Sequence, residues 1–319
     1  MTMRLAKQWA LSSLSLLLIA VLVTSAMADS DKHQYNASYS GEYLNHIAFP
    51  IGGIGAGMFC LEGTGAISHV SVRNTMEFFN EPKIFPAIYI NDGKKQTAKI
   101  LEGPVPVRKV FGHSGTGLGS GGKTYGLPHF EKASFKARFP FGTIELSDKE
   151  IPLEVSIVGW SPFTPGNADD SSLPVGALEY TFKNTSSRTI KSVFSFNSVN
   201  FLSLGKGSDR IFSVDNGFIL TQKGPDDAPE QESYVAIQTD DSNAVIDHCW
   251  FRGGWWDPFT IAWNNIASGK IIENPEQDHP APGASISVPF ELKPGNSKTI
   301  SIMISWYTEK TRTVFGTGP

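Results

Sequence analysis

Asp169-Asp-Ser-Ser-Leu-Pro-Val-Gly-Ala-Leu-Glu-Tyr180 passes from a polar turn into a strand whose side chains alternate between apolar and polar. The same two-residue period governs residues 133–139, 142–147, 152–158, 177–182, 193–199, 234–238, 285–290 and 299–305. Alternation sends every second side chain to one face, the pattern of a half-buried strand. Asn91-Asp-Gly93, Asp215-Asn-Gly217, Pro225-Asp-Asp227 and Lys293-Pro-Gly-Asn296 supply turns between such runs. Many short strands and little helical period predict an all-β fold, a large two-sheet antiparallel β-sandwich with at most one or two short helices. The helix the pattern predicts spans residues 257–267, with Asp257 as cap and Pro258 at the first helical position.

The first 28 residues read as an export signal. Arg4 and Lys7 precede an apolar run at residues 11–23, and Ala26-Met-Ala28 offers a cleavage site before Asp29. The run is shorter than the roughly 20 residues of a spanning helix, so no membrane span is expected. The expected product is periplasmic or extracellular. Loss of Arg4 and Lys7 takes the formal charge from −4 to −6, and the remaining basic residues form no run of five. Nucleic acid and anionic membrane are therefore not expected partners. Cys60 and Cys249 lie far apart in different strand runs. They read as two separate buried thiols, although an exported chain permits a pair. No Cys or His stands at metal-binding spacing, so neither metal nor cofactor is expected.

Gly117-x-x-x-x-Gly122-Lys123-Thr124 fits the phosphate-loop pattern and Gly117-x-Gly119-x-x-Gly122 the dinucleotide pattern. Both require a helix directly afterwards, because its N-terminal amides hold the anion. Pro128 and an alternating strand follow instead, so the glycines read as a surface loop. Gly52, Gly53, Gly55 and Gly57 read as a turn or bulge where backbone approaches backbone. The carboxylates Glu77, Asp169, Asp170, Glu179 and Asp257 are the candidates for a glycosidase pair. Asp169 and Asp170 read as turn residues, Glu179 as solvent-facing and Asp257 as a cap, so no catalytic residue is assigned. The histidines are isolated and no G-x-S-x-G elbow occurs. Arg252-Gly-Gly-Trp-Trp-Asp-Pro-Phe259 puts Trp255 and Trp256 in a glycine-flanked loop. They are candidates for contact with carbohydrate or another domain, or else anchors of the loop. Arg73 and Glu77, beside Phe78 and Phe79, are candidates for the same interdomain contact.

Pro50-Ile-Gly-Gly-Ile-Gly-Ala-Gly57, Trp160-Ser-Pro-Phe-Thr-Pro165, Asp170-Ser-Ser-Leu-Pro-Val-Gly176 and Phe194-Ser-Phe-Asn197 resemble the N-terminal domain of glycoside hydrolase family 116. That family includes β-glucosidases and non-lysosomal glucosylceramidase. The resemblance implies an N-terminal β-sandwich joined to a C-terminal (α/α)6 barrel, whose Glu nucleophile and Asp acid/base cleave β-glucosides with retention. None of the barrel positions falls within this chain. The resemblance thus implies a non-catalytic half whose partners are the barrel and β-linked carbohydrate. Glu62-Gly-Thr-Gly-Ala66 departs from the Arg-rich stretch of animal members, which points to a bacterial enzyme on plant-type glycans. The expected organisation is a signal peptide at 1–28, a lead segment at 29–48, the sandwich at 49–308 and a truncated linker at 309–319. A free-standing carbohydrate-binding or cell-surface sandwich is the alternative. Export carries its own test: N-terminal sequencing of the secreted product should begin at or near Asp29. Recovery of only an intact Met1 form from the cytoplasm contradicts the reading.

Overall fold

The computed structural model describes residues 34–73, 77, 80–111, 124–252 and 257–310. The chain divides into two units, Met1–Ala37 and Ser38–Pro319. Of the first, residues 34–37 are described and close a turn through the Ala37 N–H and the Gln34 carbonyl at 3.0 Å. The export signal, the glycine-rich loop at 112–122, Trp255 and Trp256 lie outside the described residues.

In chain order the strands are β1 (Tyr39–Ser40), β2 (Ala48–Ile51), β3 (Met58–Glu62), β4 (Ile67–Ser71), β5 (Ile84–Asn91), β6 (Gln96–Ile100), β7 (Lys132–Arg138), β8 (Phe141–Ser147) and β9 (Leu153–Trp160). They continue as β10 (Val175–Asn184), β11 (Ile190–Val199), β12 (Asp209–Val214), β13 (Gly217–Gln222), β14 (Ser233–Thr239), β15 (Val245–Asp247), β16 (Gly283–Leu292) and β17 (Ser297–Tyr307). Every pairing between these strands is antiparallel. The long sheet has nine strands in the order β1-β7-β8-β9-β10-β17-β14-β13-β12. A five-stranded sheet runs β15-β16-β11-β5-β6, and a three-stranded sheet runs β2-β3-β4. The hairpin turns fall where their sequence demands. Asn216, Gly93 and Gly295 carry positive φ between β12 and β13, β5 and β6, and β16 and β17.

Two sheets cover one face of the long sheet. Toward one end, Tyr180 and Phe182 of β10 meet Phe194 of β11 at ring distances of 5.0 and 5.9 Å, and Phe182 stacks on Phe290 of β16 at 5.4 Å. Toward the other end the long sheet presents Gly159 and Gly176 on that face. A Cβ on Gly159 would lie 2.4 Å from Cδ1 of Ile51, and one on Gly176 would lie 2.4 Å from Cγ2 of the same residue. The missing side chains make the hollow into which the three-stranded sheet sets Ile51 and Phe59.

The five-stranded sheet is covered on its other side too. A helix, α3 (Pro258–Ala267), forms where the sequence predicted one: Asp257 accepts the Phe259 N–H at 3.0 Å and Pro258 opens the first turn. Its Phe259 meets Phe85 of β5 edge-on at 5.4 Å, in a second core with Ala87, Ile100, Trp250 and Ala262. Two single-turn helices, α1 (Val107–Phe111) and α2 (Ala168–Ser171), were not anticipated, being too short to show a helical period. Cys60 and Cys249 are separate free thiols, the first buried and the second half-buried. Burial, aided by the charge of Glu62, pushes the Cys60 thiol up to about 11.

Filling the glycine hollow tests this packing. Gly176→Val should cost about 1–3 kcal/mol in urea unfolding, because added carbons have no room beside Ile51 and Phe59. Gly126→Ala, which meets nothing within 4 Å, should stay close to the parent.

Candidate functional site

Three of the sequence segments singled out above converge at one end of the long sheet. The 52–57 turn, the 161–174 loop and the close of β17 are stitched together there. The Ile54 N–H donates to the Ser171 carbonyl at 2.8 Å, and the Gly52 N–H to Ser161 Oγ at 3.1 Å. The Trp306 N–H donates to the Pro174 carbonyl at 3.0 Å, while its indole N–H reaches the Ala56 carbonyl at 2.5 Å. Gly57, with φ near +96°, lies so near the Ser71 carbonyl that a Cβ would stand 2.5 Å from it. These glycines are structural, as their spacing suggested. Apolar side chains nevertheless remain exposed on the segments that meet here: Ile54 is 61% and Phe139 64% exposed, and Phe163 and Leu173 are exposed too. Phe139 and Phe163 pack edge-on at 4.9 Å. Such a cluster of outward rings suits contact with another protein surface.

The sequence-selected carboxylates all have structural partners or lie exposed. Arg73 and Glu77 pair with each other at 3.2 Å, and Arg73 also donates to the Leu202 carbonyl at 3.1 Å. Arg73 follows Val72, whose carbonyl accepts the Thr308 hydroxyl, so the pair sits at the same end as the outward rings. In α2 the cap is Asn167, whose Oδ1 accepts the Asp170 N–H at 3.1 Å, and Asp170 in return accepts from the Asn167 amide at 2.6 Å. Asp169 is exposed. Glu179 is half-buried, and accepts the Trp160 indole N–H at 3.1 Å.

Two polar centres had no motif to mark them. The first is buried around Lys109 of α1. Its ammonium reaches both oxygens of Glu62, at 2.7 and 2.6 Å, and Oε1 of Glu81 at 2.8 Å. The Tyr125 hydroxyl donates to the other Glu81 oxygen. Burial opposes the charge on Lys109, but the two carboxylates together outweigh it and hold its pKa above the ordinary lysine value. Nearby, His129 lies between the carbonyls of Gly103 and Thr124, each at 3.1 Å, and burial lowers its pKa.

The second centre lies outside the five-stranded sheet, beneath α3. Residues of β11 that alternate with the core phenylalanines are polar here, and they are satisfied by one another. Asn197 donates to the Phe85 carbonyl at 3.1 Å and accepts from Ser285 Oγ at 2.7 Å, and Ser285 accepts the Trp250 indole N–H at 2.8 Å. Next to this network, a cavity of about 500 Å³ opens between the end of β15, α3 and the 270–279 segment. A smaller pocket of about 20 Å³, enough for roughly one water, continues from it toward Asn197 and Ser285. Asp247 lines both. Burial raises its pKa, a shift partly offset by the Asn274 amide. Among the described residues no group of three His, Cys, Asp or Glu side chains is placed to hold a metal. No described helix is long and apolar enough to cross a membrane.

The family model described as beta-glucosidase 2, glycosyl-hydrolase family 116 N-term, matches residues 48–317. No curated protein sequence matches the chain. Among solved structures, one described as a kojibiose phosphorylase from human microbiome is similar at TM-score 0.37 and 9% identity, over 85% of this chain and 25% of that one. A polysaccharide lyase is similar at TM-score 0.33 and 11% identity, over 83% of this chain and 33% of that one. The chain thus spans about a quarter and a third of those two structures.

The Lys109 centre predicts a large penalty. Lys109→Met leaves Glu62 and Glu81 buried without their cation and should cost about 3–5 kcal/mol in urea unfolding. Adding Glu62→Gln and Glu81→Gln should recover part of it. The sign with pH follows from the raised pKa. The lysine's stabilisation is fully present below its unfolded value of about 10.4 and is lost only as pH rises through the higher folded value.

Proposed function

This chain belongs to glycosyl-hydrolase family 116 through its N-terminal domain, and from that premise we propose that it is the non-catalytic sandwich that seats the catalytic barrel of an exported β-glycosidase. The observation that carries the reading is the family match across residues 48–317. The geometry supplies a place for the contact. The segments through which the chain resembles its family, 50–57, 160–165 and 170–176, meet at the end where Ile54, Phe139, Phe163 and Leu173 stay exposed. Interdomain faces are partly apolar, and packed loops set on a sheet present them in a fixed arrangement. The last strand, β17, finishes at the same end, where Trp306 is bonded to Pro174 and Ala56.

In this reading the sandwich contributes position and the barrel contributes chemistry. The exposed rings lose contact with water against the barrel, at about 25 cal/mol per Å² of apolar surface covered. The Arg73–Glu77 pair borders the same face and adds polar contact at its rim. Bacterial origin, secretion and action on β-glucosides belong to the same proposal and rest on the signal-like N-terminus and the family.

The test is reconstitution. Residues 29–319 alone should not hydrolyse an aryl β-glucoside. Mixed with a separately expressed (α/α)6 domain of the family, they should co-elute with it, and Ile54→Asp with Phe139→Asp should abolish co-elution. Both sites are exposed, so a folded variant is expected, and circular dichroism verifies it. Failure of the parent to co-elute, or turnover by the isolated chain that Glu77→Gln removes, overturns the reading.

A further inference from the structure

We propose that the cavity beside Asp247 is a binding site for a neutral, hydroxyl-rich ligand of mono- or disaccharide size. Asp247 is 7% exposed. Its Oδ1 accepts the Cys249 N–H at 3.1 Å and the Asn274 amide at 2.9 Å, which fixes the side chain. Its Oδ2 has no partner among the described residues, yet Asp247 forms part of the cavity wall. That oxygen is open to water through the cavity, so an occupant that covers it must bring a donor in the water's place.

The other lining groups narrow the class. The Lys270 ammonium and the Asn265 side-chain amide line the same space and have no partners among the described residues. Arg252 stands at the rim, joined to His279 at 3.1 Å and to the Pro280 carbonyl at 3.0 Å. A metal cation would meet the positive charges of Lys270 and Arg252. An anion would meet the Asp247 carboxylate. An apolar ligand would bury Asp247 unpaired. A hydroxyl group both donates and accepts, so neighbouring hydroxyls can donate to Asp247 while accepting from Lys270 and Asn265. Ile261 and Ile272 give the cavity an apolar wall for the C–H face of a ring. The volume of about 500 Å³ falls within the ~300–1,000 Å³ range of small-ligand sites. The inference stands apart from the barrel-docking proposal. Its site lies beneath α3 and shares no residue with the Ile54–Phe139 face, so either can fail alone.

The experiment is an NMR titration of isotope-labelled residues 29–319 with glucose and with cellobiose, beside glucuronate and glucosamine as charged probes. A neutral sugar should give saturable shifts confined to amides of 245–252 and 261–274. Asp247→Asn keeps an acceptor for Cys249 and Asn274 but replaces the charged oxygen with an amide, and Lys270→Ala removes an exposed donor. Each should weaken binding by about tenfold or more, the loss expected for one hydrogen bond to a charged group. Should Asp247→Asn not fold, Lys270→Ala decides the matter. The proposal is overturned if neither sugar gives saturable shifts or if the shifts map elsewhere. Unchanged affinity in the folded variants, or tighter binding of a charged probe, also overturns it.

Discussion

The sandwich depends on two missing side chains. Gly159 and Gly176 sit on adjacent strands of the long sheet, and without Cβ atoms they let Ile51 descend to the sheet's own backbone. From that contact the rest of the end follows. Ile51 sets β2, β2 sets the 52–57 turn, and the turn brings Ala56 within reach of the Trp306 indole. A larger residue at either glycine would lift the three-stranded sheet and separate segments that otherwise share hydrogen bonds. Close packing of this kind tolerates little change in volume.

The two covering sheets are used differently. The three-stranded one holds loops whose apolar side chains face outward, and it borders the face assigned to the barrel. The five-stranded one is a middle layer: β11 turns phenylalanines toward the long sheet and hydrogen-bonded Ser and Asn toward α3, beside the apolar Phe85, Ala87 and Ile100. A polar layer of this type is stable only when its members satisfy one another. Asn197, Ser285 and Trp250 do so, while Asp247 turns one bonded oxygen to Cys249 and Asn274 and stands in the cavity wall.

Most of the strand pattern was legible in the sequence, because a period of two is a direct imprint of one buried face. Asp257 and Pro258 announced their helix for an equally local reason. What failed to show was non-local. In residues 193–199 alternation suggested one wet face, yet Ser195 and Asn197 are as buried as Phe194 and Phe196, with which they alternate. Only the arrival of α3 from sixty residues further along changes their surroundings. Lys109 and Glu62 are separated by 47 positions, and neither lies in a motif, so no spacing rule could join them. Asp247 carries no local signal either, since its partner Asn274 and the cavity wall come from separate parts of the chain. The Ile54–Phe139 face was legible in part: its segments carried the family likeness, but their meeting at one end required the sheet order.

That order also constrains time. β17 lies between β10 and β14 in the nine-stranded sheet, so it joins the block β1-β7-β8-β9-β10 to the block β14-β13-β12. Until residues 297–307 have been synthesised, the two blocks present facing, unpaired edges and the central strand is absent. A chain emerging from the ribosome therefore cannot close its main sheet progressively; it must hold two incomplete halves and lock them with β17. For a chain read as exported, late closure has a use. A sandwich that cannot close before β17 appears stays threadable through a translocation channel until that strand has been made.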